Sequence, residues 1–282
     1  MPLPKTIVIT GCSSGIGLST AQLLYQNGWQ VFATVRKPED QTHLQSLGLN
    51  AILMDLNDSV SIQNAVKQVL AQTNNQLTAL CNNAGFGQPG AIEDISRDAL
   101  RAQFETNVFG LQELTNLVLP VMHQQGYGRI INMSSLLGWM TMGYRGAYCA
   151  SKYAVEALSD ALRLELHGTN IFVSLIEPGP IESQFRNTAR VNYEQNICSA
   201  QSVHQENYSR LIHNMEQLKA DSPFTLSPAA VAKKILHALQ SAKPKIRYYV
   251  TLPTYVFAFL KWMLPDSGFD WVMRRIMKSE TK

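Results

Sequence analysis

The chain has 282 residues, of which 45% are hydrophobic and 16% are charged, and its formal net charge is +3 at pH 7. This composition predicts an ordered globular protein with a sizeable core and excludes a disordered chain. The four cysteines show no CxxC spacing, so we expect neither a metal site nor a disulfide framework. Because no charged segment followed by a long apolar run opens the chain, we expect a cytoplasmic protein.

The small net charge hides an asymmetry between the body of the chain and its end. Residues 1–242 carry 16 Lys and Arg against 18 Asp and Glu, a balance of −2, whereas residues 243–282 carry 8 against 3, a balance of +5. A basic segment can bind nucleic acid or anionic lipid, or it can be a solvated surface. No motif of a nucleic-acid-binding module accompanies it, so we expect no nucleic-acid partner.

Short apolar, β-branched runs alternate with longer segments of helical spacing. The predicted strands are 7–10, 30–35, 51–54, 77–81, 129–133, 171–176 and 246–250. The predicted helices are 16–27, 59–72, 98–124, 147–167 and 228–240. This alternation is typical of a parallel sheet with helices on both faces. The sequence therefore predicts an α/β fold, a doubly wound, mostly parallel sheet of about seven strands in a single domain.

Residues 182–227 interrupt this alternation because they are polar and contain only short helical pieces such as 204–219. An insertion of this length near the end of a parallel sheet is typical of a substrate loop or lid, although a plain surface excursion is the alternative. We expect one domain over residues 1–250 that includes this loop, followed by a helical extension over 251–282.

The predicted extension opens on an apolar run, 250–260, that is interrupted by Pro253 and followed by Lys261 and Trp262. This run is too short to span a bilayer, which takes roughly 20 residues. The extension either packs over a substrate cleft as part of the core or lies on a membrane as a basic, aromatic-rich amphipathic helix. We favour packing, and the second interpretation would make the protein peripheral to a membrane.

The first predicted strand runs into TGCSSGIG, residues 10–17. Part of this stretch fits the G-x-S-x-G pattern in which Ser13 would be the nucleophile of a serine hydrolase. That fold needs several strands and an oxyanion loop before its nucleophile, whereas one short strand precedes Gly11 here. The three glycines and two serines instead favour a turn whose amides bind a phosphate at a helix N-terminus.

The second predicted strand ends at Val35 without an acidic residue and continues into Arg36 and Lys37. In dinucleotide-binding folds an acidic side chain at this point accepts a hydrogen bond from the ribose 2′-OH of NAD. A guanidinium favours the 2′-phosphate of NADP instead, through charge-assisted hydrogen bonds. We therefore predict NADP(H) as the cofactor, with ordinary loop cations as the alternative interpretation.

The most informative segment contains Ser135, Tyr148 and Lys152. Tyr148 and Lys152 have i, i+4 spacing, so on a helix they lie on one face, one turn apart. We expect the ammonium to lower the pKa of the phenol, ordinarily about 10, so that Tyr148 exchanges a proton with a substrate oxygen. Ser135, at the end of the fifth predicted strand, could hold the same oxygen by a hydrogen bond.

Together with NNAG at residues 82–85, these motifs resemble the short-chain dehydrogenase/reductase family of the TGxxxGxG and YxxxK type, over about residues 5–182 and again over the last helix and seventh strand of the sheet. The chain is most similar to the 17β-hydroxysteroid and retinol dehydrogenase-like branch and to bacterial NADP-dependent aldehyde reductases. The strings TGCSSGIGL, YCASKYAVEALSDALRLEL, SLIEPGPI and KPKIRYYVT carry that similarity. It implies a Rossmann-like fold and an oxidoreductase.

The resemblance also implies roles for individual residues. The implied catalytic residues are Tyr148 as acid–base, Ser135 as donor to the substrate oxygen, Lys152 as the residue that lowers the tyrosine pKa and binds the nicotinamide ribose, and Asn107 as the residue that kinks the long helix and holds a water of a proton relay. The expected cofactor contacts are Gly11, Cys12, Ser13, Ser14, Gly15, Ile16, Gly17, Arg36, Asp55, Leu56, Asn83, Ala84, Gly85, Tyr148, Lys152, Pro178, Gly179 and Ile181. The expected substrate contacts are Ser135 and Tyr148.

The predicted function is NADP(H)-dependent interconversion of an aldehyde or ketone and an alcohol, in either direction. We expect an apolar substrate and a homodimer or homotetramer. The side chains that could line an apolar pocket, or equally fill the core, are Phe86, Met140, Met142, Tyr144 and Tyr193. Two other function classes remain, a protein that senses NADPH without turnover and, with less support, a serine hydrolase that uses Ser13.

Overall fold

The computed structural model describes residues 5–217 and 224–280, and within them seven strands form one sheet. The strands are β1 (Thr6–Ile9), β2 (Gln30–Val35), β3 (Asn50–Leu53), β4 (Ala79–Asn82), β5 (Gly128–Met133), β6 (Ile171–Glu177) and β7 (Arg247–Tyr249). They lie in the order β3-β2-β1-β4-β5-β6-β7, and all neighbours are parallel. The predicted doubly wound α/β sheet is confirmed.

Helices cover both faces of this sheet. Those in the described residues are α1 (Gly15–Gln26), α2 (Pro38–Ser46), α3 (Ser59–Gln72), α4 (Arg97–Phe104), α5 (Gly110–Gln125), α6 (Gly146–Glu165), α7 (Phe185–Asn196), α8 (Gln205–Gln217), α9 (Pro228–Gln240), α10 (Leu252–Met263) and α11 (Asp266–Glu280). Leu24 of α1 and Ile235 of α9 are fully buried against one face. Ile62 of α3 and Leu114 of α5 are fully buried against the other, so each face has its own apolar cluster.

Local sequence fixes where several helices begin and end. Asp58 caps α3 by accepting a hydrogen bond from the amide of Val60 at 2.9 Å. Ser96 caps α4 by accepting one from the amide of Ala99 at 3.1 Å. Gly126 ends α5 with φ of +79°, a left-handed conformation that glycine adopts without strain. The cap of α4 and the end of α5 bound the long helical segment in the middle of the chain.

The sequence predicted one uninterrupted helix over 98–124, and the structure divides it. Helix α4 ends at Phe104, a wider π-helical turn covers Glu105–Phe109, and α5 begins at Gly110. Such turns bend a helix and often occur at functional positions. Asn107 lies fully buried in this turn, in agreement with the kink that the family resemblance implied.

The insertion contains more helix than the sequence predicted. Helix α7 was not predicted, and α8 covers much of the expected piece at 204–219, whose residues 218–219 lie outside the described residues. Helix α2 was also missed, because its sequence PEDQTHLQS has a single fully buried residue, Leu44, and so no apolar period. The sequences of α2, α7 and α8 are polar, so contacts with the rest of the protein hold these helices in place.

The C-terminal extension consists of α10 and α11, which pack on the body of the protein. Phe257 of α10 and Met273 of α11 join a cluster with Leu137 and Met140, which follow β5. This is the packed arrangement that we favoured from the sequence. Within residues 5–217 and 224–280, no helix combines the length and the apolar character needed to cross a membrane.

Candidate active site

The expected site residues gather at the carboxyl edge of the sheet. Gly11 follows β1, Asn83 follows β4, Ser135 follows β5 and Pro178 follows β6. Because the strands are parallel, these four ends lie at one edge. Connections leave in opposite directions at the neighbouring strands β1 and β4, and doubly wound folds bind ligands in the crevice at such a switch point.

The glycines of the loop at residues 11–17 leave a cradle of bare backbone. Gly11 and Gly15 have φ of +71° and +57°, which residues with a side chain rarely adopt. A Cβ at Gly11 would lie 2.8 Å from the Cα of Ala84. A Cβ at Gly17 would lie 2.7 Å from Nδ2 of Asn83. The loop and the turn after β4 can therefore approach this closely only because these positions carry no side chain.

The start of α1 presents backbone amides at this cradle. Ser14 precedes the helix and makes no capping hydrogen bond with its side chain, so first-turn amides remain available to an anion. Ser13 is exposed and Ile16 is half-buried beside it. Cys12 differs, because it is fully buried and its amide donates to the carbonyl of Thr34 at 3.0 Å. Burial raises the pKa of its thiol, which stays protonated and donates to the carbonyl of Ile9 at 3.2 Å, so the amide and the thiol of Cys12 are both already bonded within the loop.

The turn after β4 is tied to the glycine loop. Thr10 Oγ1 accepts hydrogen bonds from the amides of Asn83 and Ala84, at 3.0 and 2.8 Å. The side chain of Asn83 donates to the carbonyls of Thr10 and Gly11, at 2.8 and 3.1 Å. Both loops that we expect to contact a cofactor are thus held in one arrangement by four hydrogen bonds.

Arg36 and Asp55 lie at neighbouring strand ends. Val35 pairs with Leu53 in the register of β2 and β3, so the residues that follow these strands are side by side. Arg36 is exposed, and Leu56 is buried. The Asp55 carboxylate accepts a hydrogen bond at 3.0 Å from the amide two residues further on. The cation that the sequence placed at the end of β2 is therefore open to a ligand.

Tyr148, Ser135 and Lys152 come together where β5 and α6 meet. Tyr148 and Lys152 lie near the start of α6, one turn apart as predicted. Ser135 lies near the phenol of Tyr148 and acts to lower its pKa, and its Oγ accepts the amide of Leu137 at 3.1 Å. Nζ of Lys152 lies 5.8 Å from the centre of the Tyr148 ring and donates to the carbonyl of Met133 at 2.7 Å.

The pKa of Tyr148 differs from our expectation. The sequence predicted that Lys152 lowers it, but burial raises it to about 12, and the nearby Ser135 hydroxyl offsets this only in part. Burial lowers the pKa of Lys152 itself to about 8, although nearby Glu156 acts in the opposite direction. The ammonium of Lys152 is bonded to the carbonyl of Met133, and the desolvation of the phenolate dominates the pKa of Tyr148. Tyr148 is therefore a neutral phenol at neutral pH.

The side chain of Asn107 ties the π-helical turn to this cluster. Its Oδ1 accepts the amide of Phe86 at 3.1 Å, and its Nδ2 donates to the Phe86 carbonyl and to Ser151 Oγ, both at 3.0 Å. A Cβ at Gly85 would lie 3.0 Å from Asn107 Oδ1 and 3.7 Å from Lys152 Nζ. The structure thus brings all four candidate catalytic residues into one region.

The loop after β6 closes the site on another side. The carbonyl of Pro178 accepts the amide of Leu136 at 3.0 Å. A Cβ at Gly179 would lie 2.9 Å from Cδ2 of Leu136, so a side chain there would push the two loops apart. Ile181 forms a parallel bridge with Leu226, which joins the beginning and the end of the insertion.

Sequence analysis missed Phe185, the first residue of α7. Its ring packs edge-on against Tyr148 with centroids 5.3 Å apart, and its Cζ would lie 2.9 Å from a Cβ at Gly87. The insertion therefore covers the candidate acid–base, which supports the lid interpretation. No sequence signal marks this position, since the α7 sequence FRNTARVNYEQN has no clear apolar period.

A buried ion-pair network behind the site was also missed. Glu177 is fully buried, accepts the indole Nε1–H of Trp139 at 2.6 Å and pairs with Arg247 Nε at 3.1 Å. Arg247 also pairs with Glu156 and Asp160 of α6, at 3.0 and 2.6 Å. Burial raises the pKa of Glu177, and the charge of Arg247 opposes this shift. The network joins β6 and β7 to α6, the helix that carries Tyr148 and Lys152. Its one indication in the sequence was Glu177, a single acidic residue at the end of an apolar strand.

Four of the five expected pocket-lining residues divide into two groups, and the fifth, Phe86, belongs to neither and lies where Asn107 bonds to its backbone. Met140 and Met142 pack in one cluster with Tyr148, α10 and α11. Tyr144 and Tyr193 pack in another, with Tyr208 of α8, and so belong to the insertion side. The apolar surface next to the candidate acid–base comes from the segment after β5 and from the C-terminal extension.

Comparison with known proteins identifies relatives that share most of the chain. The sequence profile of the short chain dehydrogenase family matches residues 5–194. The Uncharacterized oxidoreductase YbbO of Escherichia coli (strain K12) is 43% identical, over 96% of this chain and 95% of that protein. The NADPH-dependent 3-dehydrocapnine reductase of Ornithobacterium rhinotracheale is 31% identical, over 98% of each chain. Retinol dehydrogenase 8 of Homo sapiens is 31% identical, over 86% of this chain and 80% of that protein.

The matched region includes the glycine loop, the turn after β4, the Ser135, Tyr148 and Lys152 cluster, and the loop after β6. A parallel sheet with these loops at one edge is the frame on which such enzymes bind a nicotinamide cofactor. The family and branch that the motifs suggested are therefore confirmed. The chain belongs to the short-chain dehydrogenase/reductase family, as an oxidoreductase of its retinol and hydroxysteroid dehydrogenase-like branch.

Proposed function

We propose that the protein is an NADP(H)-dependent enzyme that reduces an aldehyde or ketone to the alcohol, with Tyr148 as the proton donor. The observation that carries this proposal is the proximity of Ser135 to the phenol of Tyr148, with Lys152 one helical turn away. A phenol with a pKa of about 12 is protonated at neutral pH, as a donor to a developing alkoxide must be. This favours reduction over oxidation as the direction of the reaction.

The glycine cradle fits the diphosphate of a dinucleotide. Bare backbone at Gly11, Gly15 and Gly17 allows close approach, and the amides at the start of α1 suit a negative charge. The other residues proposed to line the cofactor are Cys12, Ser13, Ser14, Ile16, Asp55, Leu56, Asn83, Ala84, Gly85, Tyr148, Lys152, Pro178, Gly179 and Ile181. Bound NADPH would supply the hydride that the carbonyl carbon accepts.

Arg36 supports NADP(H) over NAD(H). Its exposed guanidinium follows the buried Val35, at the strand end where NAD-binding folds place an acid. A guanidinium can form two parallel hydrogen bonds to a 2′-phosphate, which a 2′-hydroxyl cannot match. A relative that is 31% identical to this chain is named as NADPH-dependent, which agrees with this argument.

The proposed proton transfer uses contacts that already exist in the site. Ser135 and Tyr148 would bind the substrate oxygen together, because their hydroxyls lie near each other where β5 and α6 meet. Tyr148 would donate its proton to that oxygen as negative charge develops on it. Lys152, held by the carbonyl of Met133, would stabilise the phenolate that remains and bind the ribose. Lys152 would then pass a proton to the phenolate of Tyr148 and recover one from a water that Asn107 positions.

An apolar substrate is proposed from the cluster beside Tyr148. Met140 is fully buried there, and Phe269 and Met273 of α11 pack against it. An apolar surface next to a few polar groups is typical of a small-molecule site. The names of the relatives point the same way, since retinol and 3-dehydrocapnine are both lipid-like compounds.

The two alternative functions make different demands on the same residues. A sensor of NADPH would need the cradle but not the Tyr148 and Ser135 pair. A hydrolase would need a base at Ser13, and none of the hydrogen bonds found among the described residues joins this serine to a histidine. The geometry therefore favours turnover. The homodimer or homotetramer, the boundary at residue 250 and the peripheral membrane contact stay predictions.

A panel of aldehydes, ketones and alcohols of increasing chain length, assayed with NADPH and with NADH, tests the proposal. We expect NADPH-dependent reduction that improves with the apolar length of the aldehyde. NADPH binding with no turnover of any compound would support the sensor instead. Ester hydrolysis that is lost in Ser13→Ala would support the hydrolase.

A further inference from the structure

Helix α10 is apolar on two opposite sides. Its inner face packs through Phe257 and Leu260 into the cluster that contains Tyr148. Its outer face carries six large apolar side chains, and we call them the α10 stripe: Leu252, Tyr255, Val256, Phe259, Trp262 and Met263. Each is at least 45% exposed, and Trp262 is 82% exposed.

The α10 stripe is continuous. Its members recur every three or four residues, so they lie on one side of a helix with about 3.6 residues per turn. The rings of Phe259 and Trp262 are 6.1 Å apart, and Tyr255 packs edge-on against Tyr249 at 5.3 Å. Single exposed apolar residues are common on proteins, but a connected apolar face on a helix marks an interaction surface.

Helix α11, next to α10, adds positive charge. Its inner face packs into the Tyr148 cluster through Phe269 and Met273. On its opposite face, Arg274, Arg275 and Lys278 are exposed, and they line an open cleft of about 560 Å³ together with Trp271. The other lining residues of that cleft are Tyr144, Asn207 and Met277, so its described lining contains three cations and no carboxylate.

We propose that the α10 stripe docks on the surface of an anionic phospholipid bilayer, with the cations of α11 next to the lipid headgroups. Tyr and Trp side chains favour the boundary between hydrocarbon and water, and the stripe contains one of each, Tyr255 and Trp262. A helix with an apolar, aromatic face and basic neighbours is typical of proteins that lie in this boundary. Residues 243–282 carry a balance of +5, and +4 remains without Arg247, whose charge is paired with Glu156, Asp160 and Glu177; anionic lipid attracts this charge.

Charge favours lipid over a second copy of the chain as the occupant. In a two-fold dimer through this face, the basic extension would face its own copy and the cations would repel each other. An anionic bilayer presents the complementary charge. Asp266 and Asp270 lie in the N-terminal half of α11 and Glu280 is its last residue, whereas the cations Arg274, Arg275 and Lys278 lie in its C-terminal half.

Docking would place the active site close to the lipid. The two faces of α10 belong to one helix, so the Tyr148 cluster lies about one helix diameter, ~10 Å, from the proposed bilayer surface. An apolar substrate could then reach the cluster without crossing much water. This last step rests on the proposed reductase function, whereas the docking surface itself does not.

Flotation of the full chain with vesicles tests the docking. We expect binding to vesicles of phosphatidylcholine mixed with phosphatidylglycerol, weaker binding to phosphatidylcholine alone, and release at high salt. The double variant Phe259→Ser/Trp262→Ser should lose at least about tenfold in affinity. Arg274→Gln/Arg275→Gln/Lys278→Gln should weaken binding to the mixed vesicles only.

A matched control removes exposed apolar side chains elsewhere. Val60 and Leu164 are 63% and 66% exposed and lie on α3 and α6, so Val60→Ser/Leu164→Ser should bind vesicles like the natural chain. A thermal melt and reduction of a short aldehyde show whether each variant is folded, and flotation is readable even if no aldehyde is reduced. Failure of the natural chain to bind either vesicle, or an equal loss in the control, would overturn the proposal. So would a dimer, seen by sedimentation, that the stripe variant dissociates.

Discussion

The ammonium of Lys152 donates a hydrogen bond to the carbonyl oxygen of Met133, 2.7 Å away at the end of β5. This bond holds Nζ of Lys152 at the carboxyl end of β5, 5.8 Å from the centre of the Tyr148 ring. Lys152 is buried and Tyr148 is half-buried, and burial moves both pKa values toward the neutral forms, to about 12 for Tyr148 and about 8 for Lys152. The site thus contains a neutral phenol and a lysine that titrates near physiological pH.

Replacing Lys152 should change the pH dependence of stability. Its pKa falls from 10.5 to about 8 on folding, so between these values the unfolded chain binds more protons and the native protein gains stability as pH rises. We expect the free energy of unfolding, relative to Lys152→Met, to rise by up to ~3 kcal/mol across this window. Urea unfolding at several pH values measures it. The exposed Lys67→Met is the control, and a pH-independent difference for Lys152→Met would contradict the assignment.

The protonated phenol sets the pH dependence of the two reaction directions. Since burial raises the pKa of Tyr148 to about 12, the donor form is present throughout neutral and mildly alkaline pH. We expect the rate of aldehyde reduction to stay level below about pH 8 and to fall above it, as Lys152 loses the charge that would stabilise the phenolate. The rate of alcohol oxidation should rise with pH, because oxidation needs the phenolate. Steady-state kcat in both directions measures this. A reduction rate that halves near neutral pH would show that another group donates the proton.

Arg36 should decide between the two cofactors. Loss of charge-assisted hydrogen bonds to a 2′-phosphate costs roughly 1.5–3 kcal/mol, so Arg36→Ala should lower kcat/KM for NADPH by roughly 10- to 100-fold. The value for NADH should change little, because its ribose has no phosphate. The exposed Arg97→Ala on α4 is the matched control. Equal losses with both cofactors would place Arg36 outside the 2′-phosphate site.

Gly17 should tolerate no side chain. A Cβ there would come within 2.7 Å of the Asn83 side chain, and it would also meet the carbonyl of Gly11. We expect Gly17→Ala to cost roughly 1–3 kcal/mol of stability and to weaken NADPH binding, since it separates the two loops of the cradle. Gly268→Ala is the control, because its Cβ would have no neighbour closer than 3.6 Å. Thermal melts and NADPH titration test both, and normal NADPH binding by Gly17→Ala would contradict the cradle.

Sequence patterns predicted features that depend on neighbouring residues. The β-branched runs gave all seven strands, and the spacing of Tyr148 and Lys152 gave their shared helix face. Such patterns did not predict features that depend on contacts between residues far apart in the sequence. The raised pKa of Tyr148 comes from burial under other elements, and Phe185 reaches Tyr148 from a polar helix in the insertion. The network of Glu177 and Arg247 likewise forms only when β6 and β7 pair.

The break in the helix at Glu105–Phe109 is another feature that the sequence pattern did not predict. Apolar periodicity continues across it, so the spacing predicted one helix over 98–124, and only the family resemblance of Asn107 pointed to a kink. A π-helical turn adds one residue to a turn of helix without changing which residues are apolar. The turn is therefore recognised from the contacts of Asn107, which donates hydrogen bonds to the backbone of Phe86 and to the hydroxyl of Ser151.

The rate of hydride transfer to a medium-chain aldehyde in a single turnover, compared between the natural chain and Tyr148→Phe, tests the central claim most directly. The variant keeps the ring that packs against Phe185 and removes only the hydroxyl, so NADPH titration should give the same dissociation constant for both proteins. We expect the rate to fall by about a hundredfold to ten-thousandfold. An unchanged rate with unchanged NADPH affinity would show that Tyr148 does not deliver the proton.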